Sequence, residues 1–269
     1  QETIPTSTAE LLRTRLKNED HDGLVNANAT YRFGAGYSLG LNYLLTDFDR
    51  KSSDVEDPNN VTHLFPQKLK KQVIGLAWQY QTTRFTGTLF SKFYNLDAQS
   101  FEPVTNGTGV PTYTRSEIQK KQWGYGGAAA YFILPKLQGK VSFEHSYRLP
   151  EATELLGDGL YTRRNAALKP ESSNNLNLGA LYAFKVSEQH HFGLEASYIY
   201  RNSKDYIRLD QAQAQPIDRQ YINIGDVLTQ GVEAEVNYQW KNKFSASVNV
   251  TYQNIVGKQK FFTSTNLTG

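Results

Sequence analysis

Residues 231–252 read GVEAEVNYQWKNKFSASVNVTY. Val232, Ala234, Val236, Tyr238 and Trp240 alternate with Gly231, Glu233, Glu235, Asn237 and Gln239. After Lys241-Asn242-Lys243 the alternation resumes, with Phe244, Ala246, Val248, Val250 and Tyr252 set against Ser245, Ser247, Asn249 and Thr251. Successive side chains of a strand point to opposite faces, so the stretch is a hairpin with one apolar and one polar face.

Working outward, the same unit recurs. Leu176, Leu178, Ala180, Tyr182 and Phe184 share one face before a turn at 185–190, and Phe192, Leu194, Ala196, Tyr198 and Tyr200 follow it. Trp123, Tyr125, Ala129, Tyr131 and Ile133 lead to a turn at Pro135-Lys136, with Val141, Phe143, Tyr147 and Leu149 beyond. Ile74, Leu76, Trp78 and Tyr80 precede Thr82-Thr83-Arg84, and Val25, Ala27, Ala29 and Tyr31 precede a glycine turn at 33–36. The short turns centre near 34, 83, 135, 187 and 242. They are flanked by Tyr31/Tyr37, Tyr80/Phe85, Phe132/Val141, Phe184/Phe192 and Trp240/Phe244, four of the five pairs being aromatic on both sides. Between them lie long polar connections at 49–69, 100–120, 149–171 and 210–219. Rings beside short turns at one rim, with long loops at the other, form the asymmetry of a membrane barrel. A sandwich has no reason to keep its long loops at one end. The reading is all-β: an antiparallel up-and-down transmembrane β-barrel, with about ten strands of a larger barrel. No convincing helix appears, although AELLRTRL at 9–16 has some helical character.

Composition agrees by exclusion. The 269 residues hold 17 Tyr, 14 Phe and 3 Trp but no Cys, so a disulfide framework and thiolate metal sites are ruled out. A net charge of +3 is too balanced for a nucleic-acid binder. No apolar run approaches the about 20 residues that a membrane helix needs. The negative mean hydropathy does not argue against a barrel, because only every second strand residue meets lipid. The opening QETIPTSTAELLRTRL lacks a basic region followed by an apolar one, so no signal peptide is read there.

Residues 147–171 read YRLPEATELLGDGLYTRRNAALKPE. Tyr147, Arg148, Pro150, Glu154 and Leu155, followed by Asn165, Leu168, Pro170 and Glu171, resemble a segment of TonB-dependent outer-membrane receptors. In that family an aromatic-Arg-x-Pro-x-x-x-Glu-Leu element is followed by Asn-x-x-Leu-x-Pro-Glu and a new strand. YINIGDVLTQGVEAEVNY at 221–238 resembles the family's Asn-x-Gly segment before a Gly-Val-Glu strand. The two prolines suit places where strand pairing ends, and Gly157 and Gly159 suit the turns between. Arg148 is expected near the rim on the polar side, where its guanidinium can grip carboxylates of the loop or of a plug.

The resemblance implies a Gram-negative outer-membrane receptor that takes up a scarce nutrient, an iron chelate or siderophore foremost. Its partners would be outer-membrane lipid, a small-molecule nutrient and periplasmic TonB acting through a plug. No nucleic acid, resident cofactor or metal is implied. Such transporters have about 22 strands around a plugged lumen. Residues 1–269 are therefore expected to form one partial barrel domain without plug or closing strands. Loops 49–69, 100–120 and 149–171 would form the outer vestibule, with His63, Tyr113, Arg115, Arg163 and Arg164 as candidate ligand contacts. Tyr147, Arg148, Pro150, Glu154, Asn165, Leu168, Pro170 and Glu171 are expected to structure the loop. Haem receptors carry a similar box with a loop histidine, but 149–171 holds no His. Gly124, Gly126 and Gly127 lie within a strand, so they form no phosphate loop and would let the wall approach a plug. Glu233 and Glu235 read as lumen-facing, and His145 as a strand-packing residue. The rivals are an outer-membrane barrel enzyme, which lacks an organised nucleophile and base here, and a passive porin or adhesin.

Overall fold

The computed structural model describes residues 16–54, 66–105, 111–158, 162–211 and 219–258. Its strands are β1 (Leu16–Gly34), β2 (Tyr37–Asp54), β3 (Gln67–Gln81), β4 (Phe85–Thr105), β5 (Pro111–Leu134) and β6 (Leu137–Arg148). A helix, α1 (Ala152–Leu156), and a two-residue strand, β7 (Thr162–Arg163), follow. The chain continues as β8 (Glu171–Ser187), β9 (His190–Lys204), β10 (Tyr206–Gln211), β11 (Arg219–Ile224), β12 (Val227–Trp240) and β13 (Phe244–Gly257). Ten strands form one antiparallel sheet in the order β1-β2-β3-β4-β5-β6-β8-β9-β12-β13. The sheet is open, with one edge of β1 and one of β13 unpaired among the described residues. β10, β11 and β7 make a separate small sheet.

Register carries the alternation from strand to strand. Val232, Ala234, Val236, Tyr238 and Trp240 lie opposite Tyr252, Val250, Val248, Ala246 and Phe244. The same residues face Tyr198, Ala196, Leu194, Phe192 and His190 of β9. A slip of one residue would turn every one of these side chains to the other face, so the pattern fixes the pairing. The apolar face is bare: Trp123 is 64% and Tyr252 67% exposed. Among the described residues no second sheet covers it. The buried residues lie elsewhere, at the loop end of the polar face, where Leu69 is 2% and Leu168 1% exposed. A soluble sandwich would bury the alternating side chains. This sheet shows them outward, as a surface made for an apolar solvent.

Rings line the short-turn end of the outward face. Tyr37 stacks on Tyr80 with centroids 4.5 Å apart, Phe184 on Phe192 at 5.2 Å, and Phe192 meets Tyr238 at 5.0 Å. In β5 the ring on this face is Tyr131, opposite Phe85; Phe132, expected there, falls on the polar face opposite Gln138.

Three expectations need correction. The connections at 49–69 and 100–120 carry strand at both ends, since β2 runs to Asp54, β3 begins at Gln67, and β4 and β5 pair as far as Thr105 and Pro111. Beyond the apolar band neither face meets lipid, so the alternation that marks a strand disappears from the composition. The 149–171 connection contains a short helix where none was expected. Gly124 and Gly126 leave no open space on the polar face. An added Cβ would lie 3.0 Å from Tyr94 at the first and 2.5 Å from Phe90 at the second, so neighbouring rings fill the gap.

Candidate functional site

β6 ends as the motif requires. Pro150 has no N–H to continue a ladder and is fully buried. The chain turns into α1, where the Glu154 carboxylate accepts the Glu151 N–H at 2.8 Å and caps the first turn. Gly157 closes the helix at φ 72°, and a Cβ there would lie 2.4 Å from the Thr162 carbonyl oxygen. Only glycine fits.

Arg148 ties the flanks of the loop together. Its Nη1 donates to both oxygens of Glu154 at 3.1 Å, and its Nε donates to Glu171 at 3.4 Å. One guanidinium thus joins the last residue of β6, the helix and the first residue of β8. Glu154 is buried, and a buried carboxylate needs such a partner. Glu171 also accepts the Ile207 N–H at 3.4 Å, which brings in β10.

Asn165 organises the second half. Its side chain donates to the Tyr221 carbonyl at 2.7 Å and accepts the Ala167 N–H at 3.0 Å, while its own N–H donates to the Leu155 carbonyl at 3.0 Å. Leu168 then enters the core and Pro170 precedes β8. Asn223 accepts the Lys169 N–H at 2.8 Å and donates to the Lys169 and Asp205 carbonyls at 3.0 and 2.7 Å. Gln220 donates to the Arg164 carbonyl at 2.8 Å, and β7 pairs in parallel with β11. The motif at 147–171 and the start of the motif at 221–238 are therefore two halves of one cap. In the sequence the two stand apart, with no shared pattern to join them. The available signal was a pair of amide side chains, Asn165 and Asn223, each beside a chain reversal.

The cap docks on the polar face of β3–β5. Leu149, Leu155, Leu156, Leu168 and Ile207 pack with Leu69, Tyr94, Leu96, Ala98 and Ile118. Those sheet residues break the polar stripe, which marks where something covers it. Farther across, Arg50 donates to the Gly157 carbonyl at 2.8 Å and is held by Asp20 through two bonds of 2.8 and 2.7 Å. The Arg50 guanidinium holds the Asp20 carboxyl below its usual range through these hydrogen bonds, against a smaller opposing effect of burial. Lys71 pairs with Glu151 at 2.5 Å, and Asn18 donates to the Asp158 carbonyl at 3.3 Å. Arg50, Asp20 and Lys71 were not singled out from the sequence. Lone charges on long polar strands carry no local signal.

Below the cap the polar face is laced with ion pairs. Lys92 reaches Glu144 at 2.7 Å across β5, and Lys140 reaches Glu195 at 2.6 Å across β8. Glu235 lies opposite Glu195 and accepts from Asn237 at 2.8 Å and Ser247 at 3.2 Å; Glu233 shares that face, opposite Ser197. On the outward face, opposite Tyr125, His145 is held by Asn174 at 2.7 Å and Tyr147 at 3.0 Å. A recess of about 540 Å³ between β1 and β4 is lined by Asn28, Gly40, Asn42, Gly75, Phe90 and Lys92 among others. No group of three metal-ligating side chains occurs among the described residues.

The candidate ligand contacts are dispersed. His63 and the side chain of Tyr113 lie outside the described residues. Arg115 is paired with Glu117 and Gln99 on the projecting β4–β5 hairpin. Arg164 donates to the Phe101 carbonyl and so pins the cap to that hairpin. Arg163, next to it, is exposed on β7. The eight motif residues come together; the five candidate contacts do not form one cluster.

A family model described as "TonB dependent receptor-like, beta-barrel" matches residues 3–269. The chain belongs to the TonB-dependent receptor β-barrel family. Proteins of this family are receptors and transporters, not enzymes. Among solved structures, the chain is similar to the copper transporter OprC, with a TM-score of 0.67 and 12% identity over 90% of this chain and 38% of that one. The FrpB iron transporter from Neisseria meningitidis matches with a TM-score of 0.61 and 13% identity over 88% and 36%. The Serratia marcescens hemophore receptor HasR, solved with its hemophore HasA and heme, matches with a TM-score of 0.58 and 17% identity over 91% and 43%. The chain thus spans about two fifths of the solved receptor chains it matches. A comparison with curated protein sequences finds no match.

Proposed function

We propose that this chain is the barrel portion of an outer-membrane receptor that imports a scarce nutrient, with an iron chelate or siderophore as the substrate class. The remaining strands and a plug belong to other parts of the longer protein, and periplasmic TonB drives the plug. The observation that carries the reading is the sheet's two-sidedness: a bare apolar face ringed by aromatics, backed by a polar face crossed by a braced cap. The cap narrows the space on the polar face at the long-loop end, where a ligand would enter from outside. Tyr113, Arg115, Arg163 and Arg164, with His63, would supply cationic and aromatic contacts suited to an anionic chelate. The similar structures are an iron transporter, a copper transporter and a hemophore receptor with heme, which favours a metal-bearing nutrient.

The test is uptake by cells whose outer-membrane iron receptors have been deleted and which express the full-length gene. Radiolabelled ferric chelates are supplied with TonB present or deleted. Accumulation of at least one chelate that stops without TonB is the expected result. Accumulation indifferent to TonB would make the protein a passive porin, and none with any metal chelate would overturn the substrate class.

A further inference from the structure

Charge is unevenly spread between the two ends of the sheet. At the long-loop end both signs are interspersed and paired, as in Arg50–Asp20, Lys68–Asp49 and Arg115–Glu117. At the short-turn end the five connections and their flanks carry Arg32, Arg84, Lys136, Lys185, Lys241 and Lys243. Glu188 is the one acid there, 3.9 Å from Lys185. All six cations are exposed, and every turn but that at 187–190 is without an acid.

The arc of charge is fixed in place. Gln81 donates to the Gly36 carbonyl, Phe132 to Arg84 and Ala183 to Lys136, each at 2.9 Å, and Lys241 donates to Gln189 at 2.7 Å. Each turn is therefore bonded to the next, and the cations cannot splay apart independently. Five of the six cations are sequence neighbours of an aromatic ring at this end: Tyr31, Phe85, Phe184, Trp240 and Phe244. The Lys241 ammonium lies 5.8 Å from the Trp240 ring centre. An amphipathic ring sits at the boundary between hydrocarbon and headgroups, so a cation one residue beyond it sits at phosphate depth.

We infer that the short-turn rim binds the phosphate groups of anionic phospholipids in the leaflet that meets it, through Arg84, Lys136, Lys241 and Lys243, which lie in the turns themselves. Arg32 and Lys185 lie on the polar face, opposite Ser38 and His191. The occupant follows from charge and depth together. A row of cations with no acids to neutralise it attracts anionic headgroups, and the adjacent rings set it at their level. The inference rests on the membrane-spanning reading of the outward face.

The experiment uses the full-length receptor in phosphatidylcholine vesicles that contain a minority of phosphatidylglycerol. Lipids retained by the released protein are identified by native mass spectrometry. The wild type is expected to retain phosphatidylglycerol about tenfold above its bulk share. A variant with Arg84→Gln, Lys136→Gln, Lys241→Gln and Lys243→Gln should fall close to the bulk ratio, and Lys241→Gln/Lys243→Gln alone should lose part of the enrichment. Lys68→Gln/Lys70→Gln at the opposite end should keep it. Wild-type retention at the bulk ratio would overturn the inference, as would equal loss in the opposite-end variant or no loss in the rim variants. Failure of the wild type to insert into vesicles of either lipid would instead strike at the membrane-spanning reading.

Discussion

Arg148 and Asp20 show how single side chains hold the cap. Arg148→Ala leaves Glu154 buried without its cation, a loss of about 1–3 kcal/mol moderated by the partial exposure of the guanidinium. In the full-length protein, hydrogen exchange across 149–170 should rise and uptake fall, more than for Glu233→Gln; equal uptake in the two variants would remove the special role of this loop. Leu168→Ala empties a site that is 1% exposed and should loosen the cap by about 2–5 kcal/mol, read from the same amides. Asp20 contributes differently, because its carboxyl titrates lower when Arg50 holds it. That contribution is fully present above the ordinary carboxylate range and is lost as pH falls through the lowered value. Protection of the Gly157 and Asp158 amides should decline on acidification in the wild type. Asp20→Asn should be less protected at neutral pH and insensitive to this titration. The motif residues were legible because proline, glycine and arginine have few substitutes at a sharp exit from a strand. Arg50 and Asp20 were not, since they pair across 30 residues of chain and Arg50 meets the Gly157 carbonyl 107 residues away.

Elements were legible where a solvent boundary imprints on them. The β12–β13 hairpin was read in register because one face of every pair is apolar, and a slipped register would mix the faces. The far ends of β4 and β5 read as loop because residues 100–105 and 111–117 show no sustained alternation, and their pairing rests on the backbone ladder with a few cross-strand side-chain bonds such as Arg115 to Gln99. Helix α1 is five residues long, too short to show a period, and depends on its cap and on docking. The hairpin supports a paired prediction. Val248→Lys puts an ammonium on the outward face within the apolar band, at a cost of about 2–4 kcal/mol near the membrane midplane. Ser247→Lys places the same group on the polar face at nearly no cost. Denaturant unfolding of the full-length protein in lipid vesicles should separate the two variants; equal stabilities would contradict the assignment of faces.

At the scale of the molecule, the sheet, its polarity and the cap make one arrangement. The polar face supplies ion pairs and the recess, the cap closes over part of it, and the bare face needs a medium that the chain does not itself provide. Fold class was legible in the sequence because alternation and turn asymmetry are global properties that survive local exceptions. The union of the two motif segments was not, because it depends on long-range hydrogen bonds from Asn165 and Asn223. The most direct test labels positions 245 to 250 of β13, one at a time, with a nitroxide in the full-length receptor in vesicles. Collision rates are then measured with oxygen, which concentrates in lipid, and with a water-soluble relaxant. Labels at 246, 248 and 250 should respond to oxygen, and those at 245, 247 and 249 to the water-soluble reagent or to neither. Protection of the even positions from both reagents would mean that these apolar side chains are packed against protein, and the account would fail.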